Sequence, residues 1–185
     1  MEAASPVATG ATSGWTEPRT AWQSRFETGR QGSPVRREGD SMSAQPKVTI
    51  PRVESWLTSN ELEYELDSDT SLLTGFGNCS INVVDFDHNL LVVFSTWRGE
   101  FAAGAETALA DYINEHNGST YAPHAAFFNS DGVARLRGDM LAFTAEGMSD
   151  AQLGGFLDAA FTAILSFYDA VEKDFPDLVT WSEED

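Results

Sequence analysis

An α+β fold, an antiparallel sheet with flanking helices, is what the order of periodicities along this chain predicts. Two observations carry the prediction. Residues 61–97 hold several short apolar or alternating runs, broken by Asp67-Ser68-Asp69, by Gly75 and Gly77, and by Asp87-His88-Asn89. Residues 153–171 repeat apolar side chains at three- and four-residue steps. Strands joined by such short turns pair as hairpins and run antiparallel. A long one-sided helix must bury its stripe against a sheet, a partner, or both.

The elements follow in order. Thr49 is a plausible N-cap, Pro51 falls in the first turn, and Ile50, Val53 and Leu57 share a face beside Trp56, so a helix is expected over 49–59. In 61–67 apolar residues at 62, 64 and 66 alternate with acids, the pattern of a half-buried strand with an acidic outer face. Leu72–Phe76 restarts a strand, and its glycines suggest a bend or bulge. Ser80–Phe86 and Leu90–Trp97 are apolar on both faces in places, which predicts central, covered strands. Ala105, Leu109, Tyr112 and Ile113 define a helix over 104–116, stopped at Asn117-Gly118. Ala125–Phe128 and Val133–Leu136 form a hairpin around Ser130-Asp131-Gly132, and Leu141–Thr144 continues or pairs again. Ser149-Asp150-Ala151-Gln152 is a capping box that opens the long helix, and Pro176 stops it.

Charge divides the chain at Lys47. Residues 1–46 carry five arginines and five acids, net zero; residues 47–185 carry six basic residues and 24 acids, net −18. That field repels phosphate, so neither nucleic acid nor an anionic membrane is an expected partner. It suits solubility, or steering of a cationic partner. The longest aliphatic or aromatic run, Leu90–Phe94, has five residues, against roughly 20 for a membrane span. The N-terminus shows no apolar signal region, and a cytoplasmic location is expected.

Residues 1–46 contain no Leu or Ile, and 20 of them are Gly, Pro, Ser or Thr, too little apolar surface to offset the entropy of ordering. They read as a disordered tail with Trp15, Trp22 and Phe26 as its large aromatics. Met42 stands at the junction, so a start of translation there is a second expectation; intact mass from the native host distinguishes it from the full 20.2 kDa. Residues 47–181 form the domain, and 182–185 an acidic tail.

No residue pattern here announces catalysis. Walker, dinucleotide and nucleophile-elbow motifs are missing. The single Cys79 reads as a small buried residue, and no cofactor or metal is expected. Asp67-Ser68-Asp69 and Asp85-Phe86-Asp87-His88 place carboxylates together, but in tight turns that favour those residues locally. They leave open a small-molecule or metal-ion sensor as an alternative function, or a hydrolase using Asp87 and His88, although neighbours on a strand face opposite ways. The segment 94–101 sets Trp97 and Phe101 around Arg98 at a strand end. Tryptophan and arginine dominate protein-binding hot spots, so Trp97, Arg98 and Phe101 are the candidate partner-binding residues. The alternative places Trp97 in the core beneath the following helix.

Several segments taken in order resemble the YbjN domain family of bacteria, especially its actinobacterial branch. They are Pro51–Leu57 with Tyr64–Asp69, Thr96-Trp97-Arg98-Gly99, Ile113–Asn117, Ser130-Asp131-Gly132, Gly147–Leu153 and Phe167–Pro176. The resemblance covers residues 47–178. It implies a fold like that of type III secretion chaperones, α-β-β-β-α-β-β-α, and with it a homodimer that binds an unidentified protein or peptide without catalysis. The family is described in terms of sensory-transduction regulation and lends no catalytic residues. This chain departs from it in stronger acidity and in more Gly and Asn within 72–84.

Overall fold

The computed structural model describes residues 45–181. The readings made for 1–44 and 182–185, including the disordered tail and the Met42 start, lie outside them. Within that range the chain runs α1 (Ile50–Ser59), β1 (Glu65–Ser68), β2 (Ser71–Phe76), β3 (Cys79–Phe86), β4 (Leu90–Trp97), α2 (Glu106–Ser119), β5 (His124–Ser130), β6 (Val133–Phe143) and α3 (Asp150–Asp174), closing on a 3-10 turn at Pro176–Leu178. The strands form one six-stranded sheet in the order β1-β2-β3-β4-β6-β5, antiparallel at every pair. The α+β class and the helix–strands–helix–strands–helix order are those expected from the sequence.

The core lies between one face of this sheet and the stripe of α3. Leu72, Ile81, Val83, Leu91, Val93 and Leu136 meet Leu157, Phe161, Ile164 and Tyr168, all buried. α3 begins as its sequence dictates: Ser149 Oγ accepts from the Gln152 N–H, and the Gln152 side chain accepts from the Ser149 N–H at 2.8 Å. Trp56 of α1 closes one side by an edge-on contact with Phe161, 5.3 Å between centroids. α2 lies along α3 and β5; Tyr112 Oη donates to Asp174 at 3.0 Å, and His116 stacks on Phe167.

Several expectations are corrected. The strand expected over 61–67 forms only at Glu65–Ser68 and is exposed throughout. The irregularity lies there, between Leu66 and Ser68; β2 pairs with β3 without a break through Gly75. Helix α2 runs on past Asn117-Gly118 to Ser119. The Asn117 side chain is occupied elsewhere, donating to the Ala125 C=O and accepting from the Ala125 N–H, both at 2.9 Å. The two runs at 133–136 and 141–144 are one 11-residue strand, β6. The β5–β6 turn is as expected: Asp131 and Gly132 both take positive φ, 55° and 84°, the two-residue geometry that matches strand twist.

On α3, Asp158 is partly buried, and this raises its carboxyl pKa above the ordinary aspartate range. A raised folded pKa gives stability that is complete below the unfolded value and is lost as pH rises through the folded one. Asp158→Asn is therefore expected to raise the melting temperature at neutral pH and to change it little near about pH 3; thermal melts at the two pH values check it.

Candidate functional site

The segment chosen from the sequence is mostly interior. Trp97 is 1% exposed, stacked obliquely on Phe101 at 5.8 Å and edge-on to Trp181 at 5.6 Å. Phe101 is buried, bridged to Ala134 through both backbone hydrogen bonds and packed on Phe175. Gly99 fits because a Cβ there would fall 2.1 Å from the Trp97 ring. Of the three candidates only Arg98 is exposed; it donates to the Gly77 C=O at 3.2 Å and lies 5.5 Å from the Trp181 ring centre. The expectation of a Trp97–Phe101 contact surface is thus corrected: their large apolar area is spent on the core, and Arg98 remains as the accessible member.

The carboxylate clusters resolve into local structure. Asp85 is buried, and its two oxygens accept from the His88 N–H at 2.8 Å and from His88 Nδ1 at 2.5 Å. Nδ1 also faces the Val48 C=O at 3.1 Å, so it carries the proton and ties the entry of the domain to the β3–β4 turn. The partner of His88 is Asp85, not Asp87, which is exposed and has positive φ. Asp67 accepts from Ser71 Oγ at 2.8 Å within its own turn. Among the described residues no group of three or more His, Cys, Asp or Glu side chains is arranged to hold a metal ion, and no helix is long and apolar enough to cross a membrane.

The feature that sequence reasoning missed is the second face of the sheet. β3 and β4 alternate strictly, with one face buried and the other only half-covered. The prediction that they are covered on both sides is corrected: the helices occupy one side. Across the open side, Leu90 sits between Phe86 and Phe143, Val92 between Val84 and Leu141, and Phe94 between Asn82 and Asp139. Phe143 is 83% exposed, Phe86 53% and Leu141 49%. The eight outward positions of β3 and β4 hold no charged residue: Ser80, Asn82, Val84, Phe86, Leu90, Val92, Phe94 and Thr96. Charge returns at the margins. Arg137 lies over the Phe94 ring at 4.7 Å and 3.5 Å from Asp139, while Arg135 pairs with Glu100. Glu65 lies on β1, level with Leu73 of β2. The signal was present in the sequence as strands apolar at consecutive positions.

The edges of the sheet are less available than its face. At β5 the Asn117 amide occupies the outward N–H and C=O of Ala125. β1 is four residues long, irregular and acidic. Short, charged or side-chain-plugged edges resist added strands.

Comparison with known proteins fits this architecture. In the solved structure titled "Crystal structure of YbjN, a putative transcription regulator from E. coli", the fold recurs with a TM-score of 0.55 at 15% identity, covering 65% of this chain and 88% of that one. No curated protein sequence matches. The model of the family described as "YbjN: Putative bacterial sensory transduction regulator" matches residues 49–173, most of the described domain. The chain belongs to the YbjN family.

Proposed function

We propose that this protein is a non-enzymatic regulatory binding module whose open sheet face takes a polypeptide. One observation carries the reading: a domain of net charge −18 keeps every charge off the outward positions of its two central strands and fills most of them with apolar side chains. Exposed apolar area of that kind marks an interaction surface. The polar rim follows the anatomy of protein interfaces, with arginine on an aromatic ring at its margin. Arg98 is kept as an outlying contact, with Trp97 and Phe101 holding its strand end. A chaperone-like hold on a partner chain, in the cytoplasm, agrees with the wide apolar surface.

The test is crosslinked purification of the full chain from its native host, with wild type and Val92→Glu side by side. The expected result is a polypeptide retained by the first and lost from the second. Equal retention by both moves the contact to another surface, and retention by neither overturns the reading.

A further inference from the structure

We infer that residues 15–26 of this same chain seat on the open sheet face and compete there with the polypeptide proposed for it; the competition rests on that binding role. Two observations point to this occupant. The first is where the chain enters the domain. The Pro46 C=O accepts from the Met148 N–H at 3.0 Å and from the Arg52 guanidinium at 3.1 Å, and the Val48 C=O faces His88 Nδ1 at 3.1 Å. His88 lies in the β3–β4 turn, where the Asn89 C=O accepts from the Thr144 N–H at 2.9 Å. The chain therefore arrives at the end of the sheet where Phe86, Leu90 and Phe143 stand side by side across β3, β4 and β6. Phe143 and Phe86 are the most exposed large apolar side chains of the open face. Gln45 follows Phe26 by 19 residues, and a chain of that length reaches at most about 63 Å. The four strands that carry the patch span about 19 Å by 27 Å at ordinary strand spacing and rise, so all of it is within reach.

The second is chemical fit. All five arginines of residues 1–46 fall within 18–37, with Glu27 as the one acid among them, a net charge of +4; Trp15, Trp22 and Phe26 are the large aromatics of the same stretch of chain. Residues 47–185 carry −18. Exposed acids stand at the end of the sheet where the chain enters: Asp67 on β1, Asp69 in the β1–β2 turn, Asp87 in the β3–β4 turn and Glu146 just past β6. The Asp85 N–H donates to the Thr70 C=O at 2.8 Å, which sets the first of those turns beside the second. Arg137, 3.5 Å from Asp139, is level with Thr96 at the opposite end. A basic, aromatic segment thus finds an uncharged apolar centre for its rings and an acidic rim for its guanidinium groups, the pairing that interfaces favour. Residues 1–46 hold too little apolar surface to build a core, and a surface already formed supplies what they lack; opposite charge steers the encounter.

Tethering sets an effective concentration on the order of 1 mM, so a dissociation constant of about 0.1 mM covers the face about nine-tenths of the time. Hydroxyl-radical footprinting of the full chain, read by mass spectrometry, tests this with wild type and the double variant Trp22→Ser/Phe26→Ser. Both substitutions lie outside the described domain, and the far-ultraviolet spectrum is expected to stay that of wild type. The expected result is oxidation of Phe86 and Phe143 about tenfold faster in the variant, with Tyr121, off the face and fully exposed, unchanged. Wild-type protection should not vary with protein concentration, as a contact within one chain requires. Equal oxidation in the two proteins overturns the inference. Protection that grows with protein concentration, the mark of a second copy, also overturns it. An intact mass from the native host that corresponds to a start at Met42 does the same, since the segment is then never made. Crosslinked purification of both proteins beside Val92→Glu separates the two ideas. More polypeptide retained by the double variant than by wild type, and none by Val92→Glu, supports the competition. A polypeptide lost only from Val92→Glu, with oxidation equal in the other two, keeps the binding role and removes the segment. Faster oxidation in the double variant with nothing captured by any of the three keeps the segment on the face and removes the binding role, and the competition with it.

Discussion

Trp97→Ala is expected to lower the free energy of unfolding by about 3–5 kcal/mol, the usual cost of emptying a buried tryptophan site. Against a typical domain stability of about 5–15 kcal/mol this is a large fraction. The ring is 1% exposed and wedged between Phe101 and Trp181. Gly99 gives the prediction a sharper form. Its φ is outside the left-handed region, so alanine is allowed by the backbone and is opposed only by the Trp97 ring at 2.1 Å. Gly99→Ala alone is therefore expected to cost about 1–3 kcal/mol by overpacking. In the Trp97→Ala background the same substitution should cost almost nothing, since the clashing atoms are gone. Equilibrium urea unfolding of the four proteins measures the cycle. Additive costs would show that Gly99 serves some purpose other than admitting the ring.

The second large effect is expected at Tyr168, fully buried on the inner stripe of α3. Its hydroxyl accepts from the Gly138 N–H at 3.1 Å and lies 2.8 Å from Ser95 Oγ, which in turn donates to the Gly138 C=O at 2.8 Å. With the serine proton spent on that carbonyl, the phenol donates to the serine, and the three bonds close a ring that stitches α3 to β4 and β6. Burial is the main cause that pushes the phenol above the ordinary tyrosine range, which keeps it a donor. Tyr168→Ala removes both the aromatic volume and the ring of bonds, at about 3–5 kcal/mol. Tyr168→Phe keeps the volume and leaves the Gly138 N–H unanswered, at about 1–3 kcal/mol. Hydrogen exchange at the Gly138 amide separates the two contributions: it should quicken in the phenylalanine variant while distant core amides slow or quicken only with global stability. The raised phenol also implies stability that is complete below about pH 10 and declines above it. Tyr168→Phe should blunt that alkaline loss.

What could be read from the sequence was whatever depends on local pattern. The capping box at Ser149, the stripe from Leu153 to Val171, the Asp131-Gly132 turn and the bounds of β4 each follow from a few adjacent residues. What could not be read depends on tertiary choice. Asn117-Gly118 looks like a helix stop, yet Asn117 reaches Ala125 and the helix continues. Glu61–Asp67 alternates like a strand, but sheet pairing reaches only its last residues. Trp97 and Arg98 look alike as hot-spot candidates until packing sends one inward and leaves the other out. The open face was the hardest. An apolar residue on either side of a strand looks the same, and only the placement of all three helices on one side shows which residues stay uncovered.

The position of α3 has a consequence for the order in which this protein can be made. Among the described residues it is the last long element, and its stripe supplies one whole wall of the core. During synthesis at about 5–20 residues per second, β1 to β6 and both earlier helices leave the ribosome before any of that wall exists. For those seconds the nascent chain shows water two apolar sheet faces instead of one. Emergence of α3, rather than completion of any strand, is then the event that lets the core close. A chain cut short before residue 150 would be left as an aggregation hazard, with no route to a smaller folded domain.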